Sequence, residues 1–141
     1  MKRIRLLVLL GAVAVALPLG LTTARATGTT GTTNQVTIQQ YADYDAAGFA
    51  IDVGLYVRCS GGVNGLVTVN VSQSPPQTPY PVTFGSGQQS VVCDGMTHAV
   101  GVTFVGEGYD AGLAKATATL TIPSVPPKTV TATRWITIVV V

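Results

Sequence analysis

The chain has 141 residues, room for one domain, with 47% hydrophobic and only 10% charged residues. Its formal charge of +2 is misleading, because Lys2, Arg3, Arg5 and Arg25 all fall at or before Ala26. The remainder sets Arg58, Lys115, Lys128 and Arg134 against Asp43, Asp45, Asp52, Asp94, Glu107 and Asp110, a net charge of −2, so no basic footprint for nucleic acid remains.

The first segment has the three parts of a secretory signal. Lys2, Arg3 and Arg5 form a positive start, Leu6 to Leu17 is almost wholly aliphatic, and Pro18 and Gly20 break the run. Ala24-Arg25-Ala26 then offers small residues at the two positions a signal peptidase reads. The apolar run falls short of the roughly 20 residues that span a bilayer. The reading is a signal peptide over 1–26, secretion to the medium or cell surface, and membrane contact only during export. Residues 27–33, TGTTGTT, have no apolar periodicity and read as a flexible linker. The ordered domain is expected over 34–141.

From there the period is two, the signature of strands. Val36 to Tyr41 is a weak strand. Phe49, Ile51, Val53, Leu55, Val57 and Cys59 alternate with polar or small residues in the clearest one. Ser60-Gly61-Gly62 and Asn64-Gly65 are turn signals, and Val67, Val69 and Val71 open the next strand. The segment Ser74 to Pro81 is too rich in proline for a sheet interior and reads as an extended connection. A short strand over Gln88 to Cys93 meets the Asp94-Gly95 turn signal, and His98 to Val105 follows. After a Gly-rich loop, Ala114 to Ile122 alternates small apolar residues with threonines, Pro123 and Pro126-Pro127 end it, and Thr129 to about Val140 is the last strand. Valine and threonine dominate, and both suit a pleated, half-buried surface.

The expected fold is all-β: an antiparallel immunoglobulin-like sandwich of about seven strands, with a small closed barrel as the competitor. Cys59 and Cys93 are the only cysteines. In an exported domain they are expected to form one disulfide, and parity puts Cys59 on the buried face, which suits a bridge between sheets. Closing that loop is worth roughly 3.8 kcal/mol in the chain-entropy model.

Three short patterns carry a family resemblance. They are Tyr56-Val57-Arg58-Cys59-Ser60-Gly61-Gly62, then Cys93-Asp94-Gly95 with His98 shortly after, and Gly108-Tyr109-Asp110-Ala111-Gly112-Leu113-Ala114. Over roughly residues 48 to 122 the chain resembles a group of small exported actinobacterial proteins with an immunoglobulin-like domain of unknown function. The resemblance implies the sandwich fold and export, and it brings no catalytic residues. The cysteine pattern differs from that of the neocarzinostatin-like carriers.

Little in the sequence points to catalysis. His98 is the single histidine, and no nucleophile-elbow pattern such as G-x-S-x-G accompanies it. The acid pairs Asp43/Asp45 and Glu107/Asp110 could meet calcium, but neither matches an EF-hand loop, and no cofactor or metal is expected. Asn70-Val71-Ser72 matches a glycosylation sequon inside an expected strand of a bacterial-looking export product, which makes it a coincidence. The aromatic residues Tyr41, Tyr44, Tyr56, Tyr80, Tyr109 and Trp135 are the candidates for contact. Tyr56 shares an outward face with Asp52 and Arg58. Trp135 points outward among threonines if Val130, Ala132, Ile136, Ile138 and Val140 face the core, and Arg134 must then reach water from a strand edge or a bulge. A bulge near Arg134 would instead turn Trp135 inward.

The function expected is therefore a non-enzymatic secreted binding or structural domain. Its partner would be an unknown protein or a cell-surface glycan. A carbohydrate- or cell-wall-binding module using Tyr56 and Trp135 is the alternative, and a small hydrolase built on His98 the less favoured one.

Overall fold

The computed structural model describes residues 33–79 and 81–141; the leader, the linker up to residue 32, and Tyr80 lie outside the described residues. Among the described residues there are five strands: β1 (Gln35–Asp45), β2 (Ala50–Gln73), β3 (Thr83–Val105), β4 (Gly112–Ile122) and β5 (Lys128–Val140). They are ordered β1-β5-β4-β2-β3, and β1 also pairs with β2, so β1, β2, β4 and β5 close on themselves. All ladders are antiparallel except β1–β5, which is parallel.

The all-β class is found, as five strands with one parallel ladder rather than about seven paired wholly antiparallel, and the sheet closes as the competing small barrel would. The reason lies at the turn signals. Gly61 and Gly62 take positive φ, and the β2–β3 register shifts between Arg58 and Asn64, but the ladder resumes at Asn64 opposite Val92. Gly95 likewise has φ 85° inside β3. Glycine accepts these conformations at no steric cost, so the chain bulges and bends there instead of reversing. Two long strands result where four short ones are expected. The first half of β2 pairs with β1, and its second half pairs with β4. The β2–β3 ribbon therefore runs from the β1 side of the closed sheet to its β4 side.

Cys59 and Cys93 are bonded at that bend. The bridge joins neighbouring strands of one ribbon, with Cα atoms 4.5 Å apart, rather than spanning two facing sheets as parity alone suggests. Inward parity does hold: both cysteines are buried.

The core follows the period-two pattern. Ile51, Val53, Leu55 and Val57 from β2 meet Val67, Val69 and Val71 from its second half, and Ile136 and Ile138 from β5. Each such side chain contributes roughly 1.5–3 kcal/mol by leaving water. Ala114, Ala116 and Ala118 are fully buried, and their small size lets β1 approach β4 without pairing to it. Phe49 departs from the pattern. It is exposed at φ 50° in the turn before β2, where the Asp45 carboxylate accepts hydrogen bonds from the Ala47 and Gly48 amides.

The loop from Gly106 to Gly112 is tied down from below. The buried Gln73 amide donates to Asp110 O at 2.8 Å and accepts from Asp110 N at 2.9 Å. Thr78 and Thr83 both donate to Gly108 O. Tyr109 Oη donates to Val71 O at 2.9 Å, and its ring meets that of Tyr44 edge to face. Burial, and secondarily the neighbouring Tyr44, holds the Tyr109 phenol protonated well above the ordinary tyrosine range. A raised folded-state pKa gives stability that is complete below the unfolded phenol's value of about 10 and is lost as pH climbs above it. Alkaline unfolding is therefore expected to begin there, with phenolate absorbance and loss of strand circular dichroism rising together. Tyr109→Phe should push that transition to higher pH while costing about 1 kcal/mol at neutral pH. Tyr109 ionisation within a fully folded protein would contradict the assignment.

Candidate functional site

Strand parity decides which side chains leave the core on β5. Ile136 and Ile138 are buried, so Trp135 between strand neighbours of that set points out and is 65% exposed. Of the two arrangements open from the sequence, the outward one is found. Arg134 escapes because the β1–β5 ladder covers only Thr137 to Val140 on β5. Just before that ladder its guanidinium reaches the rim and donates to Ile38 O at 3.0 Å.

The outer face around Trp135 is built row by row. Trp135 lies opposite Lys115 on β4, Lys115 opposite Ser72 on β2, and Ser72 opposite Phe84 on β3. The rows beyond are threonines. Thr117 and Thr133 share a hydrogen bond of 3.1 Å, and Thr119 and Thr131 one of 3.2 Å. These pairs stiffen the β4–β5 face beside the indole. On the other side, the Ser74–Gln77 turn rises against it and leaves a cleft of about 550 Å³ lined by Ser72, Pro75, Pro76, Leu113, Lys115 and Trp135 among others. No carboxylate pairs with Lys115 among the described residues, so its ammonium is free to meet a ligand. The cleft thus combines an aromatic plate, an aliphatic and proline wall, hydroxyls and one cation.

An indole so placed is expected to emit at long wavelength and to be quenched readily by iodide. A blue-shifted emission shielded from iodide would place Trp135 in packing instead.

Tyr56 is also exposed, at 49%, but on the half of β2 that pairs with β1. It lies on β2 between Thr37 of β1 and Ala99 of β3, beside Arg58, whose Nε donates to Gly95 O. The structure does not bring Tyr56 and Trp135 together, so they cannot form one platform. Tyr44 and Tyr109 are both buried, which removes them from the surface candidates; Tyr41 is exposed, and Tyr80 lies outside the described residues.

His98 stands within β3 rather than at a strand start, because β3 continues through the Asp94-Gly95 kink. Its Nε2 faces Asp94 Oδ1 at 2.8 Å. That hydrogen bond, with a second from the Met96 amide, lowers the Asp94 pKa. Ser90 lines a groove beside His98, yet no serine hydroxyl hydrogen-bonds to the imidazole among the described residues. Asp43 lies directly opposite Asp52 across β1–β2, and Asp52 accepts from Thr103. No group of three or more His, Cys, Asp or Glu that could hold a metal occurs among the described residues.

Sequence reasoning missed three contributors. Ser72 reaches the Trp135 row only through a ladder between strands distant in sequence, and Lys115 through the register of the consecutive β4–β5 pair. Pro75-Pro76 forms the cleft wall from a segment read only as a connection. A periodic pattern gives the face of each residue but not its cross-strand neighbours.

No protein-family model matches the chain, and no curated protein matches it in sequence.

Proposed function

We propose that the chain is a non-enzymatic, exported binding domain whose contact surface is the β4–β5 face centred on Trp135. One observation carries the reading: a tryptophan 65% exposed at the mouth of a cleft beside a lysine with no carboxylate partner among the described residues. An isolated exposed apolar residue needs no explanation, but a large aromatic surrounded by polar partners and a wall is the composition of a contact anchor. The disulfide fits an oxidising compartment, and the Lys2–Ala26 segment has the form of a signal. N-terminal sequencing of the exported product should start at Thr27; membrane-bound material retaining Met1 would contradict export by cleavage.

The finer fold assignment belongs to the same reading. Divided at their bends, β2 and β3 supply four segments, which with β1, β4 and β5 make seven in two layers. One layer reads β1, β2 and β3, and the other β1, β5, β4, β2 and β3. That supports an immunoglobulin-like sandwich and, with it, the resemblance to the exported actinobacterial group.

A glycan ligand is favoured within this reading, because a flat indole stacks on the C–H face of a sugar ring while Ser72, Gln77 and Lys115 line the same cleft. The test is retention of the purified chain on insoluble glycans and cell walls, set against Trp135→Ala and Tyr56→Ala. Retention lost with Trp135→Ala and kept with Tyr56→Ala supports the Trp135 surface. Retention unaffected by Trp135→Ala, or no retention of the native chain on any wall or extracellular protein preparation, counts against it.

A further inference from the structure

We infer that β3 is a self-association edge: its Thr83–Val92 stretch pairs antiparallel with the same stretch of a second copy, about a two-fold axis at Gln88. The inference does not rest on the Trp135 reading: it concerns the free edge of β3, which lies three strands from Trp135 in the row that ends at Phe84.

The starting observation is the ladder. β3 pairs with β2 along nearly all of its 23 residues and with no other strand among the described residues. One side of its backbone therefore keeps a row of unpaired N–H and C=O groups. Natural proteins guard such edges with charges, prolines or covering segments. Between Thr83 and Cys93 there is no charged residue and no proline. Gln89 to Val92 instead border an open groove of about 410 Å³, with His98 to Gly101 on its far wall. An extended, neutral, uncovered edge is a template for another strand.

The occupant follows from charge and register. The stretch itself is uncharged, so its paired residues meet those of a second copy without like-charge repulsion; Glu107 borders its Thr83–Phe84 end. Phe84, Ser86, Gln88, Ser90 and Val92 all lie on the outer face, and Phe84 and Val92 are exposed at 64% and 55%. Antiparallel pairing centred on Gln88 sets Phe84 opposite the second copy's Val92, Ser86 opposite its Ser90, and Gln88 opposite its own equivalent. Two-fold symmetry makes the aromatic–valine contact twice, and such cross-strand pairs are favourable. A shift of two residues along the strand loses both contacts. The contact is isologous and uses the same stretch on both copies, so it closes at two. The bend at Cys93 to Thr97, held by the disulfide, ends the straight part of the edge.

Sedimentation equilibrium of the purified chain over a wide concentration range reads the association, and cysteine cross-linking reads the register. The expected result is a concentration-dependent dimer. Gln88→Lys, which sets two ammonium groups face to face, and Phe84→Ser should each weaken it about tenfold or more, the order expected for a central like-charge or lost apolar pair. Both sites are exposed, so folding should survive, and circular dichroism verifies it. Under a mild oxidant Gln88→Cys should cross-link to its own copy, since directly paired Cα atoms lie about 4.5–5.5 Å apart. Ser86→Cys should not, because two copies of that site would stand roughly 13 Å apart along the strands. A chain monomeric at every concentration overturns the inference. So does a dimer indifferent to Gln88→Lys, or equal cross-linking at both cysteine positions. A dimer abolished by Trp135→Ala instead would move the contact to the β4–β5 face and also overturn it.

Discussion

Replacing Cys59 and Cys93 together by alanine is expected to destabilise the domain by roughly 2–5 kcal/mol, a large share of the 5–15 kcal/mol that holds a domain of this size. The bridge closes a separation of 34 residues, so its removal restores much conformational freedom to the unfolded chain. Its position adds a second effect. It sits where the β2–β3 register shifts and where β2 exchanges β1 for β4 as its partner. Few ladder bonds hold the ribbon there, and the covalent link supplies what the ladder does not. Both sulfurs are also buried, so the double alanine variant leaves a small cavity beside Gly65 and Leu120. Denaturant unfolding of the oxidised, reduced and double alanine forms separates the loss of the bridge from the cost of the cavity. Reduction and double substitution should lower the midpoint by similar amounts, the substitution slightly more. Alkylation of both cysteines without reductant, or a midpoint unmoved by substitution, would show that the bridge contributes nothing.

Gly85→Val is expected to cost about 3 kcal/mol through overpacking, against the usual direction for a glycine in a strand. Replacing a strand glycine by a side chain ordinarily gains roughly 0.5–1 kcal/mol by restricting the unfolded chain. Here space decides the sign. Gly85 is on the inward face of β3, and a Cβ there would lie 2.5 Å from Phe104 Cε2 and 2.9 Å from Tyr109 Oη. Gly87 is similar, with Phe104 Cδ1 at 2.7 Å and Val102 Cγ1 at 2.9 Å. Both glycines make the slot that the Phe104 ring fills from the other half of the same strand. Tyr109 cannot yield readily, because its hydroxyl is bonded to Val71 O. Gly85→Ala should show a smaller loss of the same sign. In a Phe104→Leu background the penalty of either change should shrink, since the obstructing ring is gone, and the double-mutant cycle isolates that coupling. An unchanged melting midpoint for Gly85→Val would mean the slot is not filled as described.

Much of the fold is legible in the sequence. Alternation of Ile51, Val53, Leu55 and Val57 against Asp52, Gly54, Tyr56 and Arg58 identified a strand and its buried face, and all four aliphatic residues are buried. The same rule worked for Ala114 to Ile122, because burial on one face of a pleated strand imposes period two on the sequence itself. Cysteine arithmetic gave the disulfide, since only one pairing of two cysteines exists. The all-β class followed from the absence of helical periodicity in 34–141.

Strand number and topology were decided elsewhere. Gly61-Gly62 and Asp94-Gly95 carry the composition of a reversal, and local chemistry cannot distinguish a reversal from a bend. The ladder between β2 and β3 makes them bends, because pairing on both sides of the irregularity outweighs the tendency of the glycines to turn. The same long-range pairing sends β1 alongside β5 in parallel, a contact with no local signature. Trp135 shows the division most plainly. Its parity was readable, but its direction depended on whether Arg134 had a way out, and that exit exists only because β1 stops pairing with β5 before reaching it. Local sequence determines the face on which a side chain stands; which strands lie beside it, and hence whether that face is core, rim or site, is a property of non-local hydrogen bonding that only the assembled sheet defines.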